Sequence, residues 1–198
     1  MADELRFTFL ADLPLARDAL VFAQALHRGQ RRASDDAAFI LHPLKVASLL
    51  HNAGHPDTVV AAGILHDTVE NTDTHPDDIL DRFGPVVAKL VAAMTEDPSV
   101  EPYAARKAAL RRQIAEFDDG VIAVYAADKV AKVRELRAHA ARDPAQLHDE
   151  GASTQARLRH YVESLAMLEQ ADRDHPLVRQ LRFELEALRA LPPRPPSA

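Results

Sequence analysis

No cysteine occurs anywhere in the chain, which removes disulfides, zinc–thiolate sites and thiol nucleophiles from consideration. Tryptophan is also absent, and aromatic residues make up only 5% of the chain. Six glycines are too few for the turn-rich strands of a β-sandwich of this length. No internal repeat, alternating strand pattern or glycine-rich phosphate loop is visible. Basic residues are outnumbered, 24 Lys and Arg against 30 Asp and Glu, for a net charge of −6. That balance argues against a nonspecific nucleic-acid surface, which has to neutralise phosphates. It leaves room for a small anionic substrate, because a metal and a few arginines make a positive pocket on an acidic protein. The segment Met1 to Leu20 has no unbroken apolar run and carries Asp3, Glu4, Arg6, Asp12, Arg17 and Asp18. Neither a signal peptide nor a membrane span is expected, and a cytoplasmic location is the default.

What is present is aliphatic. Apolar residues reach 47% of the 198, mostly Ala, Leu and Val, and Ala and Leu are strong helix formers. The length suits one domain of about 100–200 residues. Most of the 13 prolines stand between apolar-periodic segments or in the tail, as punctuation.

The expected class is all-α. Asp12 and Pro14 start a first helix as cap and first-turn proline, with Leu15, Ala19, Phe22, Ala23 and Leu26 on one face. A polar loop covers His27 to Asp36. Pro43 opens a second helix that Gly54 closes, and Pro56 opens a third that is apolar nearly all round. Thr74, Pro76 and Asp77 read as the start of a short helix ending at Phe83-Gly84, and Pro85 starts another. Further helices are expected over about Tyr103–Phe117 and Val121–Ala141. After Asp143-Pro144, two more cover about Ser153–Gln170 and Pro176–Leu191. A leucine stripe there reads as core or as a partner seam, core being the usual role.

Chemistry concentrates in His66-Asp67-Thr68-Val69-Glu70, at the end of the most apolar helix. Glu70 lies one turn beyond His66 and Asp67, on the same side. Burying such groups without a partner is costly, and a metal resolves that cost; a His and carboxylate mixture suits Mn, Fe, Co or Zn. The bland alternative makes His66 a helix-end residue and leaves Asp67 and Glu70 solvated. His42-Pro43 places an imidazole at a helix start. Asp128, inside the apolar Val124–Val130 stretch, needs a cation: a metal, or a salt bridge from Lys129, Lys132 or Arg134. Arg106-Lys107 and Arg111-Arg112 read as a solvated basic face. His51, His55, His75, His139, His148, His160 and His175 lack a partner pattern and read as surface residues.

Taken in order, His42, His66-Asp67 and Asp128 resemble the H…HD…D arrangement of the HD superfamily of metal-dependent phosphohydrolases. His27-Arg28-Gly29-Gln30-Arg31-Arg32, Phe39-Ile40-Leu41-His42-Pro43, Leu65 to Glu70, Phe83-Gly84 and Ala127-Asp128-Lys129 are similar to the RelA/SpoT hydrolase domain and to the small Mesh1-like alarmone hydrolases. The resemblance covers about residues 14–137. It implies a compact HD-domain helical bundle, taken as one domain over residues 1–191. The C-terminal helices at about 152–191 share only helicity with the family, and the proline-rich tail at 192–198 is expected to be disordered. The resemblance implies one Mn2+ ion held by His42, His66, Asp67 and Asp128, and a guanosine tetra- or pentaphosphate substrate losing pyrophosphate from the 3′ position. Arg32 would contact the nucleotide, with Arg31 and Ser34 nearby, and Lys129 and Lys132, which flank Asp128, would also bind the substrate. Glu70 would orient a water or take its proton, and residue 71 would assist.

The chain departs from that pattern. Asn71 stands where the family has Asp, and an amide does not exchange a proton as an acid or base. Lys132 stands where it has Asn, and Ala38-Phe39 replaces Pro-Tyr. Two alternatives follow. One is a phosphatase on another nucleotide such as NADPH, releasing phosphate rather than pyrophosphate. The other is a metal- and nucleotide-binding regulator without turnover.

Overall fold

Proline and glycine do mark most helix ends, although the groups that cap them come from further away than local pattern suggests. The computed structural model describes residues 4–32, 35–142 and 152–191. A 3-10 helix, Glu4–Asp12, precedes α1 (Pro14–Leu26), α2 (Leu41–Asn52), α3 (Asp57–Leu65), α4 (Thr68–Asn71) and α5 (Pro76–Met94). Then follow α6 (Tyr103–Ala115), α7 (Asp119–Arg142), α8 (Ala152–Asp172) and α9 (Pro176–Arg189). Among the described residues there is no strand, only an isolated bridge between Arg31 and Ala38 that closes the α1–α2 loop. The all-α expectation holds. Gly54 sits past the end of α2 at φ +83, and Gly84 breaks α5 at φ +79 before Pro85 restarts it. Only a residue without Cβ adopts that left-handed backbone freely.

Several starts differ from expectation. The segment ahead of α1 is a 3-10 helix, and Asp12 does not cap α1. The free N–H groups of Leu15 and Ala16 instead donate to Asp57, at 2.9 and 2.8 Å, from the first turn of α3. One carboxylate therefore serves two helix N-termini, where the aligned peptide dipoles favour negative charge. Helix α2 begins two residues before Pro43. The cap of α5 is His75 rather than Thr74: its Nδ1 accepts from Asp77 N–H while Asp78 accepts from His75 N–H. His175 starts α9 in the same way. The 143–151 segment and the 192–198 tail lie outside the described residues.

Helix α3 is the axis of the fold. Val60, Ala61, Ala62, Ile64 and Leu65 are completely buried, as its all-round apolar sequence requires. It packs against α1, α2, α5 and α7. A Cβ on Gly63 would stand 2.4 Å from Leu50 Cδ1 and 3.3 Å from Val46 Cγ1, so glycine is what lets α2 approach. The C-terminal leucines Leu168, Leu181, Leu185 and Leu188 are buried and serve as core. Helix α9 is also clamped to α7 electrostatically: buried Glu184 accepts from Arg134 and Arg137. No helix among the described residues is long and apolar enough to cross a membrane.

Because Asp57 caps α1 across 41 residues of chain, Asp57→Ala should lower unfolding stability by about 1 kcal/mol. A denaturant titration checks this: the midpoint falls while the slope stays unchanged.

Candidate metal and phosphate site

A helix buried on every side still has to end, and its last carbonyls need donors. At the end of α3, His66 Nδ1–H donates to Gly63 O at 2.8 Å, and Thr68 Oγ1–H donates to Leu65 O at 2.7 Å. In the neutral imidazole the first bond fixes the tautomer, with the proton on Nδ1 and the lone pair on Nε2. That Nε2 is buried and finds no hydrogen-bond partner among the described residues. It faces Asp67 Oδ2 at 3.2 Å and Asp128 Oδ1 at 3.6 Å. Asp67 stands at the N-cap of α4, a favoured place for a carboxylate to accept backbone N–H, yet it makes no cap bond. Its carboxylate turns instead to the two imidazoles.

His42, in the first turn of α2, completes the group. Its Nε2 lies 3.0 Å from Asp128 Oδ1 and 3.6 Å from Asp67 Oδ2, and the two imidazole rings are 5.4 Å apart. One ligand atom from each of His42, His66 and Asp128 falls within 4.8 Å of the others. Four side chains from α2, the α3–α4 turn and α7 thus converge in a buried pocket. An imidazole oriented by a backbone carbonyl, with its second nitrogen aimed at two carboxylates, is the usual outer-shell arrangement of a metal-ligating histidine. The donor set of two imidazoles and two carboxylates fits a divalent transition ion.

Without an ion, the charges answer one another. Burial opposes a charged His66, but the Asp67 and Asp128 carboxylates overcome it and push its pKa up to about 10. Burial likewise opposes the Asp128 charge, and Lys129, Lys132 and the imidazoles outweigh it, holding the carboxyl well below its usual range. Both lysines touch Asp128: Lys129 Nζ lies 2.6 Å from Oδ2, Lys132 Nζ 2.9 Å from Oδ1. Arg134, the other cation considered for Asp128, pairs with Glu184. Lys129 is fully packed, its ammonium also 4.3 Å above the Tyr125 ring.

Glu70 stands at the mouth. Crowding by the surrounding chain pushes its pKa up, and the Asp67 and Glu96 charges add to that against the Glu96 N–H that donates to Oε1. Glu96 is itself held by Arg106 Nε at 3.0 Å and by Lys107. Arg106 and Lys107 are therefore half-buried supports of the Glu70 wall, not a solvated face. Asn71 lies to the other side. Its carbonyl accepts from Gln30 Nε2 at 2.9 Å, and it lines an 820 Å³ cleft between α1 and α5 with Thr72, Thr74 and Asp78.

Arg32 is pulled toward Asp35 and Glu135, and Lys45 reaches the same Glu135 at 2.8 Å. These side chains rim a 700 Å³ groove between α2 and α7, floored by Leu41, Leu44 and Leu49. Glu135 follows Asp128 by two helical turns on α7, and Leu41 and Ala131 of the lining are near neighbours in sequence of His42 and Asp128. Arg31 is exposed and bonds Asp36 O. Ser34 lies outside the described residues.

The sequence reading placed α8, at about Ser153–Gln170, but missed the polar side chains it brings inward. His160, read as a surface residue, is buried, and its Nδ1 accepts from Arg111 Nη1 at 2.7 Å. Tyr161 beside it is 8% exposed and lies within the field of Lys132, Lys129 and Asp128. No local spacing marks either residue, because their partners are on α6 and α7.

Three comparisons bear on this site. The family described as HD domain matches residues 19–162. The human guanosine-3′,5′-bis(diphosphate) 3′-pyrophosphohydrolase MESH1 is 40% identical over 122 residues, 60% of this chain and 68% of that protein. An Aquifex aeolicus guanosine-3′,5′-bis(diphosphate) 3′-pyrophosphohydrolase is 35% identical over 121 residues, 60% of this chain but 17% of that protein. A solved metazoan SpoT ortholog, described as hydrolysing ppGpp, overlays with a TM-score of 0.68. It is 24% identical, covers 88% of this chain and 93% of its own, and shares the fold.

His160 supplies a pH test. Burial first, then Lys129, Lys107 and Arg111, press its pKa down to about 2 from 6.5. A depressed group contributes stability above its unfolded value that is lost as pH falls below it. Acidification from neutral pH toward 4 should destabilise the protein, and His160→Gln should show a shallower loss over the same range by thermal melts.

Proposed function

Because the chain belongs to the HD domain family, we propose that it is a metal-dependent nucleotide phosphohydrolase that removes the 3′-pyrophosphate of guanosine-3′,5′-bis(diphosphate) or its pentaphosphate analogue. The observation that carries this reading is His66: buried, oriented by Gly63 O, and presenting an unpartnered Nε2 to His42, Asp67 and Asp128. The substrate class follows from the likeness to relatives named for that reaction.

His42, His66, Asp67 and Asp128 would hold one ion, which we take to be Mn2+. When bound, a divalent ion lowers the pKa of water at the site and offsets phosphate charge. The protein's own groups do the rest. Glu70, raised and anchored by Glu96 N–H, is placed to accept the proton of the attacking water. That water's oxygen adds to the phosphorus, the bond from phosphorus to the 3′ oxygen breaks, and a proton ends on the 3′ oxygen. GDP and pyrophosphate result from the tetraphosphate. The α2–α7 groove has an apolar floor and Arg32 and Lys45 at its rim, which suits a nucleotide. We place Arg32, Arg31, Ser34 and Lys132 among its contacts, and Lys129 as the fixed counter-charge behind Asp128. The C-terminal helices, docked on α7, belong to the same domain in this reading.

A second reading, a nucleotide-binding regulator, is favoured by Asn71 alone. Its side-chain amide does not serve as an acid or base near neutral pH, where a carboxylate would.

A turnover assay with ppGpp and Mn2+, resolving pyrophosphate from phosphate, separates the readings. The expected outcome is GDP with pyrophosphate, lost on chelation of the metal. Asp67→Asn should reduce kcat by about 100-fold or more, and Glu70→Gln by about 100- to 10,000-fold with the ion still bound. Tight nucleotide binding without product, with turnover appearing in Asn71→Asp, would establish the regulator instead.

A further inference from the structure

The oxygen of Asp128 that faces the two imidazoles already carries a cation of the chain itself. Oδ1 is 3.0 Å from His42 Nε2, 3.6 Å from His66 Nε2 and 2.9 Å from Lys132 Nζ. The other oxygen is taken by Lys129 at 2.6 Å. The two lysines are not equivalent. Lys129 has a side chain only 4% exposed, packed on Tyr125, whereas that of Lys132 is 36% exposed. Lys132 follows Asp128 by four residues, one turn along α7, on a long stem that reaches inward from the solvent edge. It is the most exposed member of the cluster.

Resting on the reading of this cluster as a metal centre, we propose that Lys132 is a tethered competitor for the metal position. In the ion-free protein its ammonium neutralises the buried Asp128 Oδ1. A divalent ion bound by His42, His66, Asp67 and Asp128 needs that same oxygen, and two cations on one oxygen repel. Loading the ion therefore displaces Lys132 from Oδ1 toward solvent, to which its side chain is already 36% exposed. The freed ammonium is a point charge suited to a phosphate oxygen. Metal affinity and the affinity for an anionic substrate are thereby coupled with positive sign. An anion that holds Lys132 outward favours the ion, and the ion favours the anion. The basic residue lowers resting affinity for free metal in exchange for that coupling.

The test reads metal binding without turnover. The full-length protein, stripped with chelator, is titrated with Mn2+ in the absence of nucleotide, alongside Lys132→Asn and Lys132→Arg. Lys132→Asn should bind Mn2+ about tenfold more tightly, a change of about 1.4 kcal/mol, and its ion-free form should melt at a lower temperature than wild type. Lys132→Arg, which keeps the charge, should stay near wild type. Equal or weaker affinity in Lys132→Asn overturns the proposal, as does an equal gain in Lys132→Arg. Failure of all three proteins to bind Mn2+ would overturn the metal centre itself, while loss of ppGpp turnover with normal ion binding would leave this inference standing.

Discussion

The hydrogen bond from His66 Nδ1 to Gly63 O is the contact on which the site depends. It exists because α3 is apolar on all sides and terminates inside the protein, so its final carbonyls need donors from the chain. The imidazole that satisfies one of them is thereby locked in one tautomer and one direction. Its remaining nitrogen points at two carboxylates and a second imidazole. Gly63 does two jobs in the same turn: it accepts this bond and, lacking a side chain, admits Leu50 of α2. The helix that carries His42 is thus set against the helix that ends in His66 by the residue that orients His66.

Around this rigid pair the electrostatics are balanced by near neighbours. Asp128 has a lysine on each oxygen, Glu96 holds Arg106 and Lys107 while its backbone holds Glu70, and Glu135 draws in Arg32 and Lys45. Each buried charge meets an opposite one, as burial demands. The acidic whole therefore contains cations of α6 and α7, Arg106, Lys107, Lys129 and Lys132, set against a carboxylate-rich centre. Such a layout suits a phosphate substrate whose reacting group approaches a metal.

Much of this was legible in the sequence. The breaks at Gly54 and Gly84-Pro85 follow from backbone sterics alone. The all-apolar α3 and the embedded Asp128 announced a buried polar centre, because neither pattern survives without a partner. Local chemistry misled where the partner is remote. Asp12 looked like the cap of α1, but Asp57 holds that role through the α1–α3 packing. Thr74 lost to its neighbour His75 for a purely local reason, since the ring accepts from the N–H of Asp77 in a capping box with Asp78. His160 and Tyr161 carry no periodic or motif signal, and only the docking of α8 on α6 and α7 brings them beside the lysines. The basic pair Arg106-Lys107 has the look of a solvated face until Glu96 folds beneath it.

The burial of α3 from Val59 to Leu65 also bears on how an ion would get in and out. Amides in such an element exchange with solvent only when most of the fold opens, so no breathing of α3 admits a cation from behind. Entry and exit would run through side-chain rearrangement of the more exposed groups, on the picosecond-to-nanosecond scale of exposed rotamers. The imidazoles would stay still while the Lys132 ammonium moved. Occupancy of such a centre would follow metal supply without any part of the core having to unfold.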